Sequence, residues 1–200
     1  MGREYASARA LIEKAVSLSS ETNDDFGLGA SLGRLADIAN AEADYKTARE
    51  LTNQALIIFR KLGYREGVST KLNSLGSSDF ALGDYEKARA HFDEALAVAA
   101  ELEEKINTRL IFDGFAALAA QNEDFLNSAR LAGFAESLGA SVGYAREPAE
   151  VLFRDKYMEK IRAALNDADF NSEYNAGLKL SLEEATKLTR LSSIATKTST

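Results

Sequence analysis

A forty-residue internal period constrains this chain more than any other feature. An acidic residue followed by an aromatic stands at Glu4-Tyr5, Asp44-Tyr45, Asp84-Tyr85 and Asp124-Phe125, in steps of 40 residues. A small residue follows three places after each aromatic, at Ala8, Ala48, Ala88 and Ser128, and alanine ten places after it, at Ala15, Ala55, Ala95 and Ala135. A second segment recurs upstream in the same phase, with Leu32, Leu72 and Phe112, then Leu35, Leu75 and Phe115, then Ala36, Gly76 and Ala116. The first acid–aromatic pair has no such segment before it. Leu62-Gly63-Tyr64 recurs as Val142-Gly143-Tyr144, and Thr22-Asn23-Asp24 as Leu102-Glu103-Glu104. Each unit therefore reads as helix A, a short turn, helix B and a longer turn. Small residues at fixed points let two helices approach, and large ones at neighbouring phases fill the space between successive hairpins. Asp44, Asp84 and Asp124 stand where helix B needs an N-cap, accepting an orphan backbone N–H and opposing the helix dipole.

Composition agrees with an all-α chain. Pro148 is the single proline of 200 residues, and alanine, leucine and glutamate are the commonest residues. The formal charge of −7 disfavours a phosphate backbone, whose binding rests on lysine and arginine, so no direct nucleic-acid contact is expected. With no cysteine, thiolate metal sites are excluded. The N-terminus opens on Arg3, Glu4 and Tyr5 in an amphipathic pattern, and no apolar run of about 20 residues follows. The expectation is a cytoplasmic chain without a membrane span.

Beyond the repeats the period stops. Glu147 to Asn166 has an amphipathic helical pattern with Pro148 in its first turn, Ala168 to Ala176 fits a short helix, and Ser181-Leu182-Glu183-Glu184 has capping-box form before a last helix to about Leu191. A repeat array needs such a cap over its last apolar face. The expected organisation is helical-hairpin repeats over 1–143 (helix B 3–22, repeats 27–63, 67–103 and 107–140), a helical cap over 144–194 and a frayed tail over 195–200.

Signals for chemistry are weak. Gly27-Leu28-Gly29-Ala30-Ser31-Leu32-Gly33 has its third glycine one place late for a dinucleotide loop, and Leu32 and Gly33 fall inside helix A. His91 takes the helix-B phase of Leu11, Leu51 and Leu131, so it reads as a half-buried packing residue. A lone histidine without cysteines makes no zinc site. Glu103-Glu104 and Glu183-Glu184 are neighbours on a helix or turn, pointing about 100° apart, and read as turns and caps rather than acid–base pairs. No catalytic residue, cofactor or metal is expected.

These residues resemble the tetratricopeptide repeat, most clearly in Leu75-Gly76, Gly83-Asp84-Tyr85-Glu86-Lys87-Ala88, Phe92 and Ala95. The resemblance implies a right-handed superhelix of antiparallel helix pairs, in a longer variety than the usual period of about 34 residues. Ser78 and Asp79 depart from it, standing where helix A usually has apolar or small residues. In that family helix A lines the concave surface. A ligand would then meet Arg34, Asp37 and Asn40 of the first complete unit, Asn73, Ser77 and Phe80 of the next, and Asp113, Ala117 and Gln121 of the third. Gly33 and Asp37 replace the basic or amide groups of a carboxylate clamp, so none is expected. Three further segments, Ser128–Glu136, Asp167–Phe170 and Gly177–Ala185, resemble the extreme C-terminus of large bacterial signalling ATPases and transcription regulators. With helix B first in the chain, the expectation is a C-terminal piece of such a protein. It would be a non-catalytic module binding a protein or peptide, its own N-terminal domains among the partners, or a homodimer formed through the open first repeat. A spacer or self-association scaffold and a small-ligand or peptide sensor are the other readings.

Overall fold

The computed structural model describes residues 2–191, with side chains from 6 to 190; the expected frayed tail at 195–200 lies outside the described residues. Every described element is a helix: α1 Gly2–Glu21, α2 Asp25–Ala41, α3 Tyr45–Leu62, α4 Arg65–Ala81, α5 Tyr85–Glu101, α6 Lys105–Gln121, α7 Phe125–Ser141, α8 Pro148–Ala164, α9 Asp167–Gly177 and α10 Leu182–Leu191. None of them is long and apolar enough to cross a membrane.

From α2 to α7 the helices start every twenty residues, so each forty-residue period holds two helices of nearly equal length. Most are 17 residues, about 25 Å long. Up to α7 the longer turn expected after helix B is absent, because turns of either kind hold two or three residues; after α7 the connection spans residues 142–147. Each places one residue in the left-handed region: Asn23, Ala43, Gly63, Gly83, Glu103, Glu123 and Gly143. At Ala43, for example, the chain reverses with Ala43 N–H bonded to Asn40 O and Asp44 N–H to Ala39 O, which satisfies helix-end carbonyls. The following residue caps the next helix. Asp24 Oδ1 accepts from Gly27 N–H at 2.9 Å, Asp44 from Thr47, Asp124 from Asn127, and Glu104 from Ile106 and Asn107. Asp84 occupies the same place before α5, its carboxylate bonded by Lys87 and Arg49.

The chain divides into two compact units, residues 1–98 and 99–200. In the first, α2 packs on α1 and α3, and α3 on α4. The alanines of the sequence period are the contact points: Ala48, Ala55, Ala88 and Ala95 have no exposed surface, with Leu32, Leu56, Phe59, Leu72 and Phe92 around them. Gly76 lies against the Phe92 ring, leaving no room for a Cβ. Phe26, Phe59 and Tyr64 form an aromatic cluster, with centroids 5.2–5.9 Å apart, at the α3–α4 corner. The departure at Ser78 and Asp79 has a polar explanation. Asp79 is fully buried, and its carboxylate takes Arg49 Nη1 at 3.2 Å and lies 2.8 Å from His91 Nδ1, joining α4 to α3 and α5. Ser78 Oγ reaches Asn40 Oδ1 at 3.3 Å.

In the second unit α6 and α7 form the last hairpin, and α9 and α10 both pack on α7. The α7–α9 approach is backbone on backbone: a Cβ on Gly133 would fall on the Tyr174 carbonyl, and one on Gly177 on the Arg130 carbonyl. Arg130 pairs with Glu173 beside this contact. The capping box at α10 is formed, Ser181 N–H bonding Glu184 Oε2 at 2.8 Å and Glu184 N–H bonding Ser181 Oγ at 3.2 Å. Residue 142 to residue 147 lead without regular structure into α8, whose N-terminus carries Pro148 and a capping box between Glu147 and Glu150.

Candidate interaction surface

The helix-A positions named from the sequence fall into two environments. In the first unit Arg34 and Asp37 are exposed on α2, and Asn40, Ser77 and Phe80 are half-buried. They recur on one side of α2 and α4, as residues three or four apart do. Asn73 is buried at 9% exposure, and its Oδ1 has no hydrogen-bond partner. Lys71 of α4 lies over Gly33 of α2, in the space a Cβ would need. Phe80 contacts the Tyr85 ring at 5.3 Å. The surface is thus mixed polar, with a cation and a carboxylate one turn apart.

In the second unit the same phase is closed. Asp113 and Ala117 have 3% and 1% of their surface exposed, and Gln121 is half-buried, accepting Lys160 Nζ of α8 at 2.7 Å. The expectation that Asp113 and Ala117 face a ligand is therefore corrected, because α8 packs against α6 here. Asp113 is the hub. Its Oδ1 accepts from Arg154 Nη1 at 2.7 Å and from the Tyr157 hydroxyl at 2.5 Å, and its Oδ2 from Arg146 Nη1 at 2.6 Å. Arg109, one turn back on α6, approaches Oδ2 at 3.4 Å and donates to Glu150 Oε2 at 2.7 Å. Glu136 of α7 takes Arg146 at 2.8 Å and Arg154 at 3.4 Å. Three arginines thus meet three carboxylates.

Burial, followed by the Asp113 charge, pushes the Tyr157 phenol well above its ordinary range, so it stays protonated and donates. Burial works against the Arg154 charge, but Tyr157, Asp113 and Glu136 around it outweigh that and raise its pKa further. Burial alone would raise Glu136, yet the hydrogen bond from Arg146 and the charges of Arg154, Arg146 and Arg109 hold it below the usual carboxylate range. Beside this network a cavity of about 370 Å³ is lined by Arg109, Glu136, Gly139, Tyr144, Arg146 and Val151. Tyr144 covers the Arg109 guanidinium, with Cζ 4.6 Å from the ring centroid.

The residues that sequence reasoning missed are those of α8 and its leader: Arg146, Glu150, Arg154 and Tyr157. One signal was available. Arg154, Tyr157 and Ile161 share a helical face at i, i+3 and i+7, and a charge in the place of an apolar residue on such a face marks a buried partner. His91 is half-buried as expected, yet it is held by Asp79 rather than by apolar packing. Among the described residues no cluster of three or more potential metal ligands occurs.

A family model described as tetratricopeptide repeat matches residues 68–104, which span α4, α5 and the turn after them. No curated protein matches the chain. Repeats of this kind typically serve as non-catalytic scaffolds for protein–protein interaction. The matched repeat, together with the same helical hairpin recurring every forty residues, supports a tetratricopeptide-repeat protein.

Proposed function

We propose that this chain is a non-catalytic module that binds a protein or peptide along the exposed helix-A face of its first unit. The observation that carries the reading is the contrast within α2. Leu32, Leu35, Ala36 and Ala39 are buried, while Arg34, Asp37 and Asn40 leave one polar side uncovered. On α4, the half-buried Ser77 and Phe80 continue it. In this reading the chain works in the cytoplasm as the C-terminal regulatory part of a larger bacterial signalling ATPase or transcription regulator. Its support is the resemblance of the segments Ser128–Glu136, Asp167–Phe170 and Gly177–Ala185.

The test is a selection of linear peptides on the full chain from a random library, followed by titration of the selected peptides against Arg34→Glu/Asp37→Lys. Reversing both charges is expected to weaken binding at least tenfold, about 1.4 kcal/mol. Selected peptides that bind the variant as tightly as the wild type, or a selection that enriches none, would defeat the proposal.

Self-association is the second reading, and α1 favours it. Leu11 and Leu18 are 67% and 61% exposed, although their counterparts in α3, Leu51 and Ile58, are half-buried. Analytical ultracentrifugation is expected to show a homodimer that Leu11→Glu/Leu18→Glu converts to monomer; a wild-type chain monomeric at every concentration would dismiss it.

A further inference from the structure

The side of α6 that carries Asp113, Ala117 and Gln121 is filled by α8 of the same unit, and the manner of filling is that of a bound helix rather than of a core element. Four polar bonds make the contact: Glu150 with Arg109, Arg154 and Tyr157 with Asp113, and Lys160 with Gln121. Only Arg154, Tyr157 and Ile161 of α8 are buried, while Val151 and Leu152 are exposed at 39% and 64%. A contact built this way gains little net free energy, because water or another chain supplies equivalent partners on separation.

The rest of the unit has contacts of its own, although Arg154 also reaches Ala132 O and Glu136 of α7 and the Tyr174 hydroxyl of α9. Helices α9 and α10 pack directly on α7, and the glycine-mediated approach of α9 fixes it there. Both ends of α8 are joined by non-helical chain, residues 142–147 before it and Leu165–Asn166 after it. Departure of α8 does not strand Asp113 either. Two of its partners, Arg146 at 2.6 Å and Arg109 at 3.4 Å, lie outside α8, so its Oδ1 becomes free to accept while Oδ2 has these partners to hand.

We infer that the α6 stripe Arg109–Asp113–Ala117–Gln121 is a binding site for a partner helix that presents a guanidinium and a phenol three residues apart, and that α8 occupies this site in cis until such a helix displaces it. The partner's guanidinium and phenol would take Asp113 Oδ1 as Arg154 and Tyr157 do, and an acidic residue one turn before the guanidinium would take Arg109 as Glu150 does. Around Asp113 three arginines face three carboxylates, so specificity comes from the spacing of these groups rather than from net charge. The inference rests on the helix-A faces being interaction surfaces and extends that reading to the second unit.

Two measurements test it on the full chain. Hydrogen exchange of the wild type is expected to show α8 amides opening at least tenfold faster than those of α7 and α9; equal protection in the three helices would overturn the inference. The second uses a fluorescein-labelled peptide of residues 147–166 and the variant Arg154→Ala/Tyr157→Ala, whose own α8 lacks both anchors. Fluorescence anisotropy is expected to show the peptide binding this variant at least tenfold more tightly than the wild type, and a peptide carrying the same two substitutions binding at least tenfold more weakly. Absence of binding to a variant that keeps its helical circular dichroism, or indifference to the peptide's two side chains, would also overturn it. Should the variant lose its helical signal, the exchange measurement on the wild type decides. Because both assays report on the second unit alone, their failure leaves the Arg34/Asp37 test of the first unit standing, and success here with failure there confines binding to the second unit.

Discussion

Removing the Asp113 carboxylate exposes how much the buried network contributes. In Asp113→Ala the side chains of Arg109, Arg146 and Arg154, which are 1%, 15% and 9% exposed, lose their shared partner, and the Tyr157 hydroxyl loses its acceptor. Breaking a buried pair by deleting one member costs about 3–5 kcal/mol, because the remaining charge is left uncompensated. Here each arginine keeps a second carboxylate, Glu150 for Arg109 and Glu136 for Arg146 and Arg154, which places the expected loss near the lower end, about 3 kcal/mol. Asp113→Asn keeps an acceptor for Tyr157 and Arg154 but not the charge, and should lose about half as much. Urea unfolding followed by far-ultraviolet circular dichroism reads the change. With an m-value of about 2 kcal/mol per molar, 3 kcal/mol moves the midpoint by about 1.5 M. Hydrogen exchange of the α6 and α8 amides assigns the loss to the second unit, since repeat arrays need not unfold in one step. Asp37→Ala, an exposed carboxylate on α2, serves as the control and should stay within about 0.5 kcal/mol of the wild type. A shift below about 1 kcal/mol for Asp113→Ala, or one indistinguishable from the control, would refute the claim that the network is buried and coupled.

Three other outcomes follow from particular contacts. Thr52 is fully buried and its Oγ1 has no partner, so the near-isosteric Thr52→Val should stabilise the first unit by about 1 kcal/mol in urea melts; a loss of stability would show that the hydroxyl is bonded. Gly133→Ala drives a methyl into the Tyr174 carbonyl, where no flexible side chain can yield, and should cost at least about 2 kcal/mol by the same measurement. For pH, the Glu136 carboxyl is depressed when folded, so its contribution is present above the unfolded value near 4.5 and is lost as pH falls through the lower folded value. Thermal melts between pH 6 and about 3 should therefore show a smaller acid loss for Arg146→Ala than for the wild type, and parallel curves would remove Glu136 from the network.

How much of this was legible beforehand divides along physical lines. The repeat, the helix pairs, the aspartate caps and the buried alanines were all readable, because each is a local requirement that recurs at a fixed spacing. The twenty-residue rhythm was half hidden. Its marker is a left-handed turn residue, and only Gly63, Gly83 and Gly143 announce it, whereas Asn23, Ala43, Glu103 and Glu123 adopt the same conformation without glycine's signature. Asp79 could be flagged as out of place on helix A, but its partners could not be named, since Arg49 and His91 lie 30 and 12 residues away on other helices.

That this chain makes helical hairpins of one kind follows from its residues alone, because periodic apolar and small residues and capped turns act within a hairpin and its neighbour. Which helix-A face stays open depends on packing between distant helices. Arg34 and Asp37 remain in solvent, while Asp113 and Ala117 lie beneath α8. That difference arises from bonds between residues 33 to 44 positions apart, such as Arg146, Arg154 and Tyr157 with Asp113. A helical period sets which side of its own helix a residue lies on, but which other helix comes to cover that side depends on the path the chain takes after residue 141.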